Sequence, residues 1–201
     1  MPPKKEYGKK EILEAAKKIA DRDGIKELSV RKIAGFLGCS TTPIYSSFKS
    51  MKNLETKLIK HIIDILISYT EKTYTPNIFL NIGVGIVFFA REHKKLYNIL
   101  FTQSGKYKKM VERFHEATNI QMKTDKIIEY VSEEDRMDIL QKMWIFTHGL
   151  STLVSNGYMD DDSDENIINL LGRTGGDVIS STIFQKNPEV FRELHKKGAD
   201  K

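Results

Sequence analysis

The fold is decided by the stretch SVRKIAGFLGCSTTPIYSSFKSMKNL, residues 29–54. Its first part carries apolar residues at spacings of three and four, which predicts an amphipathic helix of about two turns. Ser29 is placed to cap the start of this helix, and Gly38 is placed to end it. The apolar positions are Val30, Ile33, Ala34 and Leu37.

A third short helix is predicted directly after Gly38. Ser40 or Thr41 can cap it, and Pro43 suits its first turn because the missing N–H has no helical partner there. An earlier amphipathic segment, Lys9 to Asp23, predicts a first helix. Three short helices, the last two joined by a tight turn, are typical of a helix-turn-helix.

A helix-turn-helix places the N-terminal turn of its last helix in the major groove, while the preceding helix crosses the DNA backbone. Small polar side chains at the start of the third helix can then reach base edges. Hydroxyls, free N–H groups and cations nearby can hold phosphates. The candidate DNA-binding residues are Ser29, Arg31, Ser40, Thr41, Thr42, Pro43, Tyr45, Lys49 and Lys52.

The rest of the chain shows helical spacing almost throughout and no convincing period of two. We expect an all-α protein of about nine or ten helices, with a three-helix head at residues 1–50 and a larger helical-bundle body at residues 51–201. The predicted body helices run about Met51 to Thr73, Pro76 to Arg91, Leu96 to Phe101, Tyr107 to Val131, Glu133 to Asn156 and Ser163 to Gln185.

Positive charge is concentrated in the head. Residues 1–60 hold 14 Lys and Arg against 7 Asp and Glu, a net +7, whereas the whole chain carries +5. A local excess of this kind favours binding to a phosphate backbone, because each neutralised phosphate releases counterions. A solvated, lysine-rich helix surface is the alternative interpretation.

Several other classes of protein are disfavoured. Cys39 is the only cysteine, which excludes an internal disulfide and favours a packed thiol over a redox sensor. No run approaches the roughly 18 apolar residues of a membrane span, so we expect a cytoplasmic protein. Glu112 and His115 form only half of a di-iron motif, and Asp160, Asp162 and Asp164 lack the glycine and glutamate of a calcium loop. We therefore expect no enzyme, no metal and no cofactor.

The stretch at residues 29–54 resembles the DNA-binding signature of tetracycline-repressor-like (TetR family) regulators. The matching positions are Ile33, Ala34, Gly38, Ser40, Tyr45, Phe48 and Leu54. Where that family usually has a lysine at the start of the fourth helix, this chain has Met51, and Lys52 follows. A segment around Trp144 and His148 also resembles family members.

The resemblance implies a homodimer in which the last two long helices of each copy form a four-helix bundle. Small residues on these helices would allow close approach: Gly149, Ser151, Ser155, Gly172, Gly175 and Gly176. Glycine costs about 1 kcal/mol relative to alanine inside a helix, so three within five residues indicate a packing role. An interruption of the last helix is the alternative.

Aromatic residues of the body could line a cavity for an apolar or aromatic effector, since ligand sites often lie between helices. These candidates are Phe88, Phe89, Tyr97, Phe101, Trp144 and His148. At helical spacing they can equally be core residues.

The sequence therefore predicts a DNA-binding transcriptional regulator, a repressor that binds a near-palindromic operator and is released by a small molecule. The competing hypothesis is a helical ligand-binding or interaction protein whose head has no role in transcription.

Overall fold

The structure is a computed structural model, and it describes residues 7–102, 105–125, 128, 131–186, 188–189 and 191–192. None of these residues lies in a β-strand, so the expected all-α fold is confirmed. These residues form nine α-helices, and a 3-10 turn at Ile25–Glu27 separates the first two of them. The helices are α1 (Lys9–Asp23), α2 (Val30–Leu37), α3 (Thr42–Phe48), α4 (Met51–Thr70), α5 (Ile78–Glu92), α6 (Lys94–Phe101), α7 (Lys108–Met122), α8 (Glu133–Ser155) and α9 (Asp164–Lys186).

The predicted helix from Tyr107 to Val131 was wrong at its C-terminal end. α7 ends at Met122, and turns through Thr124 lead to Asp125. The buried carboxylate of Asp125 accepts a hydrogen bond from the backbone N–H of Phe79 at 2.9 Å. The chain leaves the helix because this carboxylate satisfies a free N–H at the start of α5.

Two other helix boundaries also differ from the prediction. α4 ends at Thr70 rather than Thr73, and α5 begins at Ile78 rather than Pro76. Asn77 sets the start of α5, because its side-chain oxygen accepts the N–H of Leu80 at 2.7 Å. An asparagine cap therefore replaces the predicted proline start.

The chain divides into two compact units. Unit 1 contains Met1–Leu66 and His93–Phe114, and unit 2 contains Ile67–Glu92 and His115–Lys201. α4 and α7 each run from one unit into the other. The first unit is thus larger than the predicted head of residues 1–50, because it includes most of α4, all of α6 and the first part of α7.

The core of unit 1 is formed by the apolar faces of its helices. α1 contributes five buried residues at helical spacing, and α4 is buried along more than one side. The five on α1 are Ile12, Ala15, Ala16, Ile19 and Ala20. Two contacts between elements, each joining a histidine ring and a carboxylate, add to this packing. His61 lies 2.7 Å from Glu14, and His93 lies 2.7 Å from Asp21.

In unit 2, α5 is the central helix and packs against both α8 and α9. α9 runs without interruption through Gly172, Gly175 and Gly176, so the alternative of a broken helix is wrong. The sequence predicts Ser163 or Asp164 as the cap of this helix, and the hydroxyl of Ser163 accepts the N–H of Asn166 at 3.3 Å. Within the described residues, no helix is both long and apolar enough to cross a membrane.

Candidate functional site

The helix-turn-helix is built by local hydrogen bonds. The hydroxyl of Ser29 caps α2 by accepting the N–H of Lys32 at 3.2 Å. Gly38 ends α2 with a left-handed backbone, φ 67° and ψ 33°, which only glycine adopts without a Cβ penalty. The N–H of Cys39 then bonds to the carbonyl of Ala34 at 3.0 Å. This turn sets the direction of α3.

α3 presents one face to the core of unit 1 and the opposite face to solvent. Ile44 and Phe48 are 1% and 4% exposed and anchor the helix. On the outer face, Thr42 is exposed and the ring of Tyr45 is 53% exposed. The outer face therefore combines a hydroxyl with a phenol, as a base-reading helix requires.

The cap of α3 differs from the prediction. Thr41 occupies the capping position, but its backbone is helical, φ −74° and ψ −15°, and its side chain makes no capping hydrogen bond. Ser40 is exposed one residue earlier, and Pro43 is half-buried in the first turn. The hydroxyls of this turn are thus not used to cap α3.

Three exposed cations lie on the elements next to α3 in the chain. Arg31 on α2, Lys49 after α3 and Lys52 on α4 are all exposed, and none forms an ion pair with any residue that the structure describes. Lys32, by contrast, is paired with Glu27. These elements therefore carry uncompensated positive charge, the property that attracts phosphates. Met51 is half-buried beside Lys52, so Lys52 is the exposed cation at the start of α4.

Sequence reasoning missed two residues of this surface. Ser46 is exposed one residue after Tyr45, and its hydroxyl donates to the carbonyl of Thr42 at 2.9 Å. Phe36 on α2 leaves 47% of its surface exposed. The exposure of Phe36 could have been predicted from the sequence, because Phe36 lies outside the helical spacing of the buried residues of α2.

The six residues predicted at the dimer interface do not share one face. Gly149 and Gly176 are exposed, and a Cβ added at either would meet open space. Ser151 and Gly175 are buried inside unit 2, while Ser155 and Gly172 are half-buried. The exposed apolar side chains of α8 and α9 were missed by the prediction. They are Met137, Ile145, Leu153 and Phe184.

The predicted effector residues fall in both units. Tyr97 and Phe101 belong to unit 1, where their rings lie 5.0 Å apart, whereas the other four belong to unit 2. Phe88 and Phe89 are 5% and 0% exposed and pack in the core. The structure therefore does not bring the six together: Tyr97 and Phe101 form one pair, and Trp144 and His148 belong to a second cluster.

That second cluster, which includes Trp144 and His148, consists of three rings in edge-to-face contact. The ring of Trp144 lies edge-on between those of His115, at 4.2 Å, and His148, at 3.9 Å. Burial, and to a lesser extent the nearby charge of His115, lowers the pKa of His148 from 6.5 to about 4. His148 is therefore neutral near pH 7.

A cavity of about 310 Å³ lies within unit 2, between α5, α8 and α9. Of the predicted effector residues, only Trp144 lines it. Its walls are formed by Asn77, Phe79, Leu80, Ile82, Gly83, Ile86, Thr118, Leu140, Met143, Trp144, Thr147, Leu171, Gly172, Gly175, Gly176, Ile179 and Ser180. Within the described residues, no group of three or more His, Cys, Asp or Glu side chains could hold a metal ion.

The fold has clear relatives among solved structures. A TetR-family transcriptional regulator from Streptomyces coelicolor aligns with 96% of this chain and 99% of its own, with a TM-score of 0.64 and 14% sequence identity. A TetR-like regulator from a Rhodococcus species aligns with 84% of this chain and 93% of its own (TM-score 0.58, 17% identity). A TetR-family regulator from Haemophilus influenzae aligns with 82% of this chain and 94% of its own (TM-score 0.56, 16% identity).

No protein-family model matches the chain, and no curated protein matches it. The chain therefore has the fold of these TetR-family regulators, at a sequence similarity too low for other comparisons to detect.

Proposed function

We propose that this protein is a DNA-binding transcriptional regulator that acts as a homodimer. The observation that carries the proposal is the exposed outer face of α3, with Thr42 and Tyr45 set in a helix-turn-helix. Exposed cations on the adjoining elements, which pair with no described residue, accompany it. The fold shared with three TetR-family regulators supports the same function.

In this proposal α3 enters the major groove. Ser40, Thr41 and Thr42 contact base edges at the start of the helix, and Tyr45 lies at the groove edge. The side chains on the neighbouring elements hold phosphates: Ser29 and Arg31 on α2, Lys49 after α3 and Lys52 on α4. Phosphate contacts position the helix, and base contacts give the sequence preference.

The dimer is proposed to form through α8 and α9. Ile145, Gly149 and Leu153 follow one another at intervals of four on the exposed side of α8, so they form one stripe. Monomeric proteins seldom expose rows of this kind, and a second copy of the chain would cover it. A two-fold dimer carries two reading helices, so the operator is expected to be a near-palindrome.

Release from DNA by a small molecule is also part of the proposal. Such a molecule must bind more tightly to the form of the dimer that fits the operator poorly. A cavity in unit 2 and the continuity of α4 and α7 between the two units support this mechanism. Repression is the expected output.

The test is binding to DNA from the region flanking the protein's own gene, measured by fluorescence anisotropy at several salt concentrations. Tyr45→Ala should weaken specific binding by about 1–3 kcal/mol, the usual worth of one base contact. Thr42→Glu should abolish it, because a carboxylate would face the phosphates. Tyr158→Ala is the matched control, since Tyr158 is 77% exposed in the segment after α8.

Equal binding by the parent and Tyr45→Ala would show that α3 is not the reading helix. If the parent has no salt-dependent affinity for any DNA, the result would favour the competing hypothesis. In that hypothesis the chain is a helical ligand-binding or interaction protein whose head has no role in transcription.

A further inference from the structure

The chain enters α1 beside the helix-turn-helix. The phenol of Tyr7 donates a hydrogen bond to the backbone carbonyl of Leu37, the last residue of α2. Gly8 follows with an extended backbone, φ −78° and ψ 169°, and its N–H donates to the carboxylate of Glu11 at 2.9 Å. The turn to α3 begins directly after Leu37. Tyr7 is therefore anchored where α2 ends and the turn to the reading helix starts.

The first turn of α1 is positively charged. Lys9 and Lys10 are both exposed, and neither forms an ion pair with any residue that the structure describes. Cations at a helix N-terminus face the positive end of the helix dipole, which disfavours them by about 0.3–1 kcal/mol each. A phosphate backbone nearby would compensate this repulsion. The start of α1 thus extends the positive charge of the helix-turn-helix.

Two more lysines come just before the anchor. Residues 2–5 read Pro-Pro-Lys-Lys and lie outside the described residues. An extended chain spans at most about 3.6 Å per residue, so the covalent chain keeps Lys4 and Lys5 within roughly 11 Å of Tyr7. Each proline has a fixed φ, so such a segment has less conformational entropy to lose on binding. The anchor therefore holds a short cationic segment at the helix-turn-helix.

The minor groove next to the reading helix is the part of the duplex that suits this segment. With α3 in the major groove, α2 crosses the phosphate strand that borders it, so a segment held at α2 lies next to the adjoining minor groove. That groove is about 6 Å wide, too narrow for a helix but accessible to an extended chain. Runs of A·T pairs narrow it further and strengthen its negative potential, which attracts lysine.

We propose that Lys4 and Lys5 bind in the minor groove beside each half of the near-palindromic operator. Lys9 and Lys10 contact the phosphates at the rim of that groove, and Tyr7 holds the segment in place. The operator consequently has a preference for A·T pairs outside each half-site, at positions that α3 does not read. This inference rests on the proposed function, because it requires α3 to be the reading helix.

The probes are duplexes made from the fragment that the full chain binds next to its own gene. They differ only in the few base pairs outside each half-site, which are A·T, G·C or inosine·C pairs. Inosine·C keeps the hydrogen-bonding groups of G·C in the major groove but lacks the guanine amino group in the minor groove. In fluorescence anisotropy the full chain should bind the A·T and inosine·C duplexes about ten-fold more tightly than the G·C duplex. Equal affinity for all the duplexes, or equally low affinity for inosine·C and G·C, would overturn the proposal.

A double variant locates the contact. Lys4→Ala/Lys5→Ala should remove the preference among the duplexes and lower the slope of log affinity against log salt by about two per bound copy. Lys108→Ala/Lys109→Ala is the matched control, since it removes two adjacent exposed lysines at the start of α7 and should keep the preference. If the first variant binds every duplex more weakly by the same factor, its lysines contact phosphates only, and the minor-groove assignment is wrong.

The role of Tyr7 is tested by Tyr7→Phe. This change keeps the ring and the net charge but removes the hydroxyl that bonds to Leu37. It should reduce the ratio of affinities for the A·T and G·C duplexes about two-fold or more, because the lysines are then held less closely to the groove. An equal loss of affinity for both duplexes, or no loss, would overturn the positioning role of Tyr7.

The two proposals can fail separately. Specific binding that is lost in Tyr45→Ala but shows no preference among the flanking base pairs would remove this inference and leave the regulator. Absence of specific binding by the parent would remove the proposed function, and this inference with it.

Discussion

Lys49 combines an unfavourable backbone conformation with an exposed cation next to α3, the helix proposed to read DNA. Its φ is 60°, and it is the only non-glycine residue with positive φ in the described part of the chain. Its N–H closes α3 by bonding to the carbonyl of Tyr45 at 2.8 Å. A side chain in this region of backbone space costs about 1 kcal/mol or more. A lysine in this unfavourable backbone conformation is consistent with a role in phosphate binding.

Lys49→Gly should therefore raise the free energy of unfolding by about 0.5 kcal/mol, because glycine accepts positive φ but is freer when unfolded. It should also lower the slope of log affinity against log salt by about one, the effect of one lost phosphate contact. Urea unfolding and salt titrations of operator binding measure the two effects. Lys49→Ala is the matched variant, since it removes the charge but keeps the Cβ. A stability gain in Lys49→Ala as large as in Lys49→Gly would argue against backbone strain.

His148 should make the stability depend on pH. Its folded pKa of about 4 lies below the ordinary value of 6.5 because burial disfavours the charged form. Between these values the unfolded chain takes up a proton and the folded chain does not. The free energy of unfolding should therefore be highest above pH 6.5 and fall by about 2–3 kcal/mol on acidification to pH 4.

The measurement is urea unfolding from pH 7.5 to pH 4, for the parent and His148→Gln. Carboxylates with lowered pKa values, such as Glu55, which is hydrogen-bonded by Lys106 and Tyr107, contribute to acid destabilisation in both proteins. The difference between the two curves isolates His148. Parallel curves across this range would contradict the assignment.

At the scale of elements, the contact of α5 with the end of α4 is the tightest glycine contact described in the molecule. A Cβ added at Gly85 would lie 2.4 Å from the backbone oxygen of Tyr69, and backbone atoms cannot move aside as a flexible side chain can. This close approach supports the packing of aromatic residues, since the ring of Tyr69 lies 5.6 Å from that of Phe89. α5 can occupy its central position in unit 2 only with glycine at this point.

Gly85→Ala should lower the free energy of unfolding by about 2–3 kcal/mol, because overpacking must displace one helix from the other. Gly35→Ala, in the open space around α2, should instead raise it by up to about 1 kcal/mol through helix propensity. Chemical denaturation of both variants gives the comparison. Equal changes in the free energy of unfolding at the two glycines would show that the contact with Tyr69 does not exclude a Cβ at Gly85.

At the scale of the whole molecule, the proposed homodimer depends on the exposed stripe of α8. Ile145 is 65% exposed and Leu153 is 44% exposed, with Gly149 between them. An exposed isoleucine and leucine on one side of a long helix, about two turns apart, favour association with a second copy of the same face. Because Gly149 has no side chain, a second helix could approach α8 closely at this point.

Ile145→Asp should weaken dimerisation by about two orders of magnitude or more, because two copies of a carboxylate would be buried at the two-fold axis. Light scattering over a range of concentrations measures the effect. Ile120→Asp is the matched control, since Ile120 on α7 is 67% exposed and lies outside the stripe. If both variants remain dimeric, or both dissociate equally, this face is not the interface.

The sequence by itself determined the helical class and several helix ends, because those signals are local. Ser29, Gly38 and Ser163 act within a few residues of their own positions, and the apolar spacing of α1 and α2 survives in the folded protein. The exposure of Arg31, Lys49 and Lys52 could likewise be predicted, because surface cations need no distant partner.

Only the tertiary structure decided where α7 ends, which small residues of α8 and α9 face inward, and where the cavity lies. Asp125, after the end of α7, accepts a hydrogen bond from the backbone N–H of Phe79, 46 residues earlier in the chain. Gly175 faces Met143 whereas Gly176, the next residue, faces open space. Aromatic residues that looked alike in the sequence were divided between a core and a cavity wall. These outcomes depend on contacts between residues far apart in the chain, and helical periodicity carries no information about which neighbour a face will meet.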